Sequence, residues 1–140
     1  MLKIQSCMSS RFLLICAALW LPLLLDAQLL SPSEFLPHQH GEQFTPHHTV
    51  ADYMEHVAAQ SPRVQIQQYG TSYEGRPLLL LTISDPGNLD RLEDIRKNNL
   101  RRARQIEGET SPELDKAIVW LSFGVHGNEA GATESSMSVL

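Results

Sequence analysis

The chain has 140 residues, 42% of them hydrophobic and 19% charged, which leaves room for one globular domain at most and argues against a disordered chain. A formal net charge of −5 supplies no clustered cationic surface, so neither nucleic acid nor an anionic membrane is expected as a partner.

Lys3 and Arg11 precede an apolar run from Phe12 to Leu25 that is broken by Asp26-Ala27-Gln28. This arrangement predicts a signal peptide over residues 1–27, with cleavage after Ala27 and a secreted or periplasmic product. The run is shorter than the roughly 20 residues needed to span a bilayer as a helix, so no stable membrane anchor is expected. Cys7 and Cys16 both lie within the expected signal, so the remaining chain must fold on its core without disulfides, in a compartment that would allow them. Loss of Lys3, Arg11 and Asp26 leaves the product acidic.

Residues 28–48 contain Pro32, Pro37 and Pro46, four histidines and no apolar period, and read as an extended leader laid over a domain surface rather than as a core element. The spacing of His38, His40, His47 and His48 fits no regular metal site.

From Thr49 to Leu140 the pattern becomes that of a folded domain. Thr49 can cap a helix, with Asp52 three residues on, and Val50, Tyr53, Met54, Val57 and Ala58 share one face. His56 lies at the boundary of that stripe, and Ser61-Pro62 ends the helix. Val64 to Tyr69 and Pro77 to Ser84 read as strands, joined by a hairpin loop at Gly70 to Arg76.

Asp85-Pro86-Gly87-Asn88 is a turn, and Asn88 can cap a second helix whose stripe is Leu89, Leu92, Ile95, Leu100, Ala103 and Ile106. Lys97, Arg101, Arg102 and Arg104 crowd its C-terminal half, where cations complement the helix dipole, and read as a solvated face. After a loop at Gly108 to Asp115, Ala117 to Val125 is apolar and β-rich enough for a central strand. The order helix, strand, strand, helix, strand, helix predicts an α/β sheet with helices on its faces.

The residues that carry chemistry follow that last strand. In Ser122-Phe123-Gly124-Val125-His126-Gly127-Asn128-Glu129, a histidine ends the strand and a carboxylate stands three residues later in a first helical turn, the place where open α/β sheets put ligands. An imidazole nitrogen and a carboxylate oxygen there can converge on zinc, which accepts both at about 2.0–2.2 Å. Spacing alone also allows a turn histidine followed by a glutamate that favours the helix dipole.

This segment resembles the zinc carboxypeptidases of the funnelin type, whose first two metal ligands lie in a Gly-Val/Ile-His-x-x-Glu motif at a strand-to-helix junction. Upstream, Gly70-Thr71-Ser72-Tyr73-Glu74-Gly75-Arg76-Pro77-Leu78 is similar to the hairpin that precedes that motif in the family. The resemblance covers roughly Thr49 to Leu140 and implies an N-terminal part of a mixed-sheet carboxypeptidase-like domain, with His126 and Glu129 as metal ligands and Zn2+ as cofactor.

The resemblance further implies hydrolysis of peptide bonds near a C-terminus, with peptide or protein C-termini as substrate. Pancreatic-type members have a substrate-holding arginine where this chain has Asn128. The family's third ligand, its carboxylate-gripping arginines and its glutamate base lie downstream of the positions found here, so no catalytic residue is assigned in this chain. Leu140 ends the sequence inside a helical pattern, which reads as a truncated, inactive fragment. Zinc deacylases such as aspartoacylase and succinylglutamate desuccinylase also resemble His126 to Glu129, but a signal and the Tyr73 to Leu78 hairpin are not expected of them. A non-catalytic exported remnant is the third reading.

Overall fold

The computed structural model describes residues 28–140, so the expected signal over 1–27 lies outside the described residues. Four parts carry the fold: the leader, a long helix, a β-hairpin and a C-terminal helix packed on the long one.

The leader is partly helical. Helix α1 spans Pro32–Phe35, and the Ser31 N–H and hydroxyl both donate to Glu34 Oε2, at 2.9 and 2.6 Å. Those two donors hold the Glu34 carboxyl below its usual range. The leader also enters the core, contrary to the expectation of a surface segment: Leu36 is buried and Phe35 packs beside it. The absence of an apolar period hid this, because the residues that bury Leu36 lie in elements distant along the chain.

Helix α2 spans His47–Gln60 and starts two residues before the expected Thr49 cap. Pro46 takes the capping position in extended backbone, its carbonyl accepting from Val50 N–H at 3.1 Å. The helix closes with Ser61 N–H donating to the Val57 carbonyl at 2.9 Å, just before Pro62. Its buried residues are Val50, Ala51, Tyr53 and Val57, three of them from the predicted stripe, whose Met54 and Ala58 are partly buried against the same core. Val50, Tyr53 and Val57 form one core with Leu36, Val64 and Met137.

Strands β1 (Val64–Thr71) and β2 (Pro77–Ile83) pair antiparallel, as the hairpin reading predicts, in register from Val64 opposite Ile83 to Thr71 opposite Pro77. Between Gln68 and Gly70 the register shifts, leaving Tyr69 as the extra residue of a bulge. In the loop, Ser72 N–H donates to the Arg76 carbonyl at 2.8 Å, and Gly75 takes φ 77°, which a residue without a Cβ adopts at little cost.

The predicted second helix is two. Asp85 stands before a short helix α3 (Pro86–Leu89), the chain breaks at Arg91, and α4 runs over Leu92–Arg102. Asn88 sits inside α3, where its amide donates to Ser84 Oγ at 3.0 Å. At the far end, Gln105 N–H donates to the Leu100 carbonyl and Arg104 N–H to that of Arg101, each at 2.9 Å, with Arg104 at φ 57°. This is the Schellman closure, and it stops the helix before Ile106, which is left on the surface. On the basic end of α4, Arg102 pairs with Asp115, just beyond a 3-10 turn at Pro112–Leu114.

Ala117 to Val125, expected as a central strand, is unpaired. Ile118, Val119, Trp120 and Leu121 are exposed, and the sheet among the described residues has two strands only. A strand is defined by its ladder, and this apolar run has no partner there. Helix α5 (Ala130–Ser138) then returns to the core through Met137, which is fully buried, a contribution of about 1.5–3 kcal/mol for a side chain of its class. The result is a partial α/β domain of mixed helices around a small antiparallel sheet.

Candidate functional site

The unpaired apolar run leads straight into the residues singled out for chemistry. Gly124, at φ 73°, redirects the chain, and the backbone then bends at Val125 and His126. Gly127 and Asn128 form a turn in which Glu129 N–H donates to the His126 carbonyl at 3.0 Å. That bond makes His126 and Glu129 the two ends of a β-turn, with α-carbons held within about 7 Å. Glu129 is also the N-cap of α5, and its carbonyl accepts from Ala132 N–H at 3.2 Å. The turn therefore brings together the two residues proposed from the motif.

Both residues are exposed. Their neighbours Gly124 and Gly127 line a cleft of about 610 Å³ whose other walls are the β2 leucines, Leu78 to Leu81, and Val50 and Met54 of α2. Apolar side chains dominate that lining, while the chemistry-bearing pair stands beside it at the turn.

One imidazole and one carboxylate suit zinc in donor type and supply two of the four positions of a tetrahedral site. Among the described residues, no three His, Cys, Asp or Glu groups gather as a metal cluster, so the remaining donors are not found there. Two of the leader histidines make other contacts. His40 Nε2 donates to the Glu134 carbonyl at 2.9 Å, and His38 Nε2 lies 3.4 Å from Thr45 Oγ1. His47 and His48 open α2, beside a smaller cleft shared with Asp52, Glu55 and Arg76. His56 Nε2 accepts from Leu30 N–H at 3.1 Å.

Sequence reasoning missed Glu134. It sits on α5 with its side chain 12% exposed, and Oε1 accepts from Thr45 N–H at 2.7 Å. No local signal marks it, because its partner lies 89 positions away in the chain.

The family model for zinc carboxypeptidases matches residues 50–140. Comparison with curated proteins and with solved structures found no match. The matched stretch takes in nearly all of α2, the whole hairpin with its Gly70 to Leu78 segment, and the His126–Glu129 turn. Such a match indicates a hydrolase of the carboxypeptidase kind, a family that is zinc-dependent in general and takes peptide substrates. Because that match covers well over half of the chain, the protein belongs to the zinc carboxypeptidase family.

Proposed function

We propose that this is an exported zinc metallocarboxypeptidase-like protein acting on peptide C-termini, in which His126 and Glu129 are two of the metal ligands. The observation that carries the reading is the β-turn joining these residues inside the stretch matched by the family, with Glu129 N–H bonded to the His126 carbonyl at 3.0 Å. Bound there, zinc would supply a Lewis acid for a scissile carbonyl and an acidified water. This chain's own contribution is to fix the spacing of one nitrogen and one oxygen donor and to set them beside an apolar cleft. Asn128 lies between the donors, so an amide rather than a guanidinium stands nearest in sequence to the pair.

Export is supported by the charged start and short apolar run ahead of Gln28. Among the described residues no helix is long and apolar enough to cross a membrane.

Zinc titration by calorimetry tests the ligand assignment. The native chain should bind zinc weakly, because two protein donors leave half the coordination sphere to water, and His126→Ala with Glu129→Ala should abolish that binding. Affinity unchanged in the double variant would remove these residues from the site and turn attention to the leader histidines.

A further inference from the structure

Helix α5 carries Glu129 as its N-cap, yet it has little means of fixing its own position. It is nine residues long and its N-terminus has no side-chain cap bond. A helix this short is marginal without tertiary packing. Two kinds of anchor hold it, apolar packing, with Ser136 buried and Leu140 on the core beside Met137, and one polar contact. Met137 is sunk in the core beneath α2, and Glu134, three residues earlier and so on the same side of the helix, reaches the leader.

The second anchor is polar and enclosed. Glu134 Oε1 accepts from Thr45 N–H at 2.7 Å, and Thr45 is fully buried. On the same residue the backbone carbonyl accepts from His40 Nε2 at 2.9 Å, and the carboxylate Oε2 lies 3.5 Å from that nitrogen. His40 therefore carries its proton on Nε2 and touches both the backbone and the side chain of one α5 residue. His40 is itself held by its N–H, which donates to Ser33 Oγ at 3.3 Å.

We propose that Glu134 is a positioning residue for the metal pair, acting through a clasp in which the leader at His40 and Thr45 fixes the rotation of α5 and hence the placement of Glu129. The proposal rests on the reading of Glu129 as a ligand. The packing of Met137 and Leu140 is apolar and non-directional, so it fixes the rotation of α5 less sharply than a hydrogen bond does, and one residue step corresponds to about 100°. With Glu134 tied to Thr45 that rotation is blocked, and Glu129 stays at the end of the turn begun by His126. Groups that orient metal ligands typically alter affinity by about 10–100-fold when removed.

The test uses the full chain and three variants, Glu134→Ala, Glu134→Gln and Glu129→Ala, with zinc titration and amide hydrogen exchange as readouts. Glu134→Gln keeps an oxygen for Thr45 N–H and should bind zinc as the native chain does. Glu134→Ala should lose about 10-fold in zinc affinity, with faster exchange at Thr45 and along α5. Native affinity in Glu134→Ala, alongside loss in Glu129→Ala, would overturn the proposal, as would a Gln variant that falls as far as the Ala variant. Native affinity in Glu129→Ala would instead defeat the ligand assignment. The exchange data would then judge the clasp alone, and unchanged protection of Thr45 in Glu134→Ala would overturn it.

Discussion

His56 holds Leu30 by its backbone: the imidazole Nε2 accepts the Leu30 N–H at 3.1 Å, 26 positions away in sequence. Nε2 is therefore the acceptor nitrogen of this ring. The same ring lies 5.3 Å from Phe35 and 6.4 Å from Tyr53, centroid to centroid. His56→Phe keeps an aromatic ring in that group and removes the acceptor. The expected cost is about 1 kcal/mol, the usual worth of one hydrogen bond, read as a lower urea midpoint with unchanged slope. An unaltered midpoint would mean that the Leu30 N–H is satisfied equally well by water.

Tyr53 holds the other side of the same residue, its hydroxyl donating to the Leu30 carbonyl at 3.2 Å. Burial raises its phenol above the ordinary value of 10. A raised value in the folded chain means that folding favours the neutral form. This contribution is complete below the unfolded value and is lost as pH rises through the folded one. Ionisation also removes the proton given to Leu30. Stability of the native chain should therefore fall more steeply above pH 10 than that of Tyr53→Phe, as measured by urea denaturation on both sides of that pH. Parallel profiles would show that Tyr53 is not the group responsible.

On α4 the sign is reversed. Arg96 donates to both Glu93 oxygens, at 2.7 and 2.8 Å, and these bonds lower the Glu93 carboxyl from 4.5 to about 2. Its contribution is present above the unfolded value and is lost as pH falls through the folded one, between 4.5 and about 2. Both partners are more than half exposed, so the effect should be small and weakened by salt. Circular dichroism should show a shallow acid loss of helix that Glu93→Gln flattens. A loss just as steep in Glu93→Gln would assign it to other carboxylates.

Arg104 closes α4 in the left-handed conformation, with φ 57°. A side chain with a Cβ is disfavoured there by about 1–2 kcal/mol, whereas glycine is not. Arg104→Gly should accordingly stabilise the chain by about 1 kcal/mol, seen as a raised thermal midpoint. A fall would mean that the arginine side chain stabilises the fold by more than its backbone strain costs.

What could be read from sequence was what depends on neighbours along the chain. The Tyr53 and Val57 stripe and the Gly70 to Arg76 hairpin loop each involve residues close to one another in the chain, and each has its structural counterpart. Leu36 was illegible because its burial is decided by α2 and α5, not by the prolines beside it. The bond from Thr45 to Glu134 spans nearly the whole domain and leaves no periodic trace. Val119 and Leu121 failed in the opposite sense, since an apolar β-rich run names a strand only when a neighbouring ladder receives it.

The hairpin is also lopsided across its width. On β1, Val64 and Ile66 face one way while Gln65 and Gln67 face the other, the signature of a strand with one wet side. Opposite them β2 places Ile83 and Leu81 on the first face, with Leu79 opposite Gln68, and Thr82 and Leu80 on the second, with Leu78 beyond the bulge. Leucines on both faces belong to a strand meant to be sandwiched. The two margins of the ribbon are therefore not equivalent: the glutamine-bearing strand has the make-up of a shoreline, and β2 that of an inner strand.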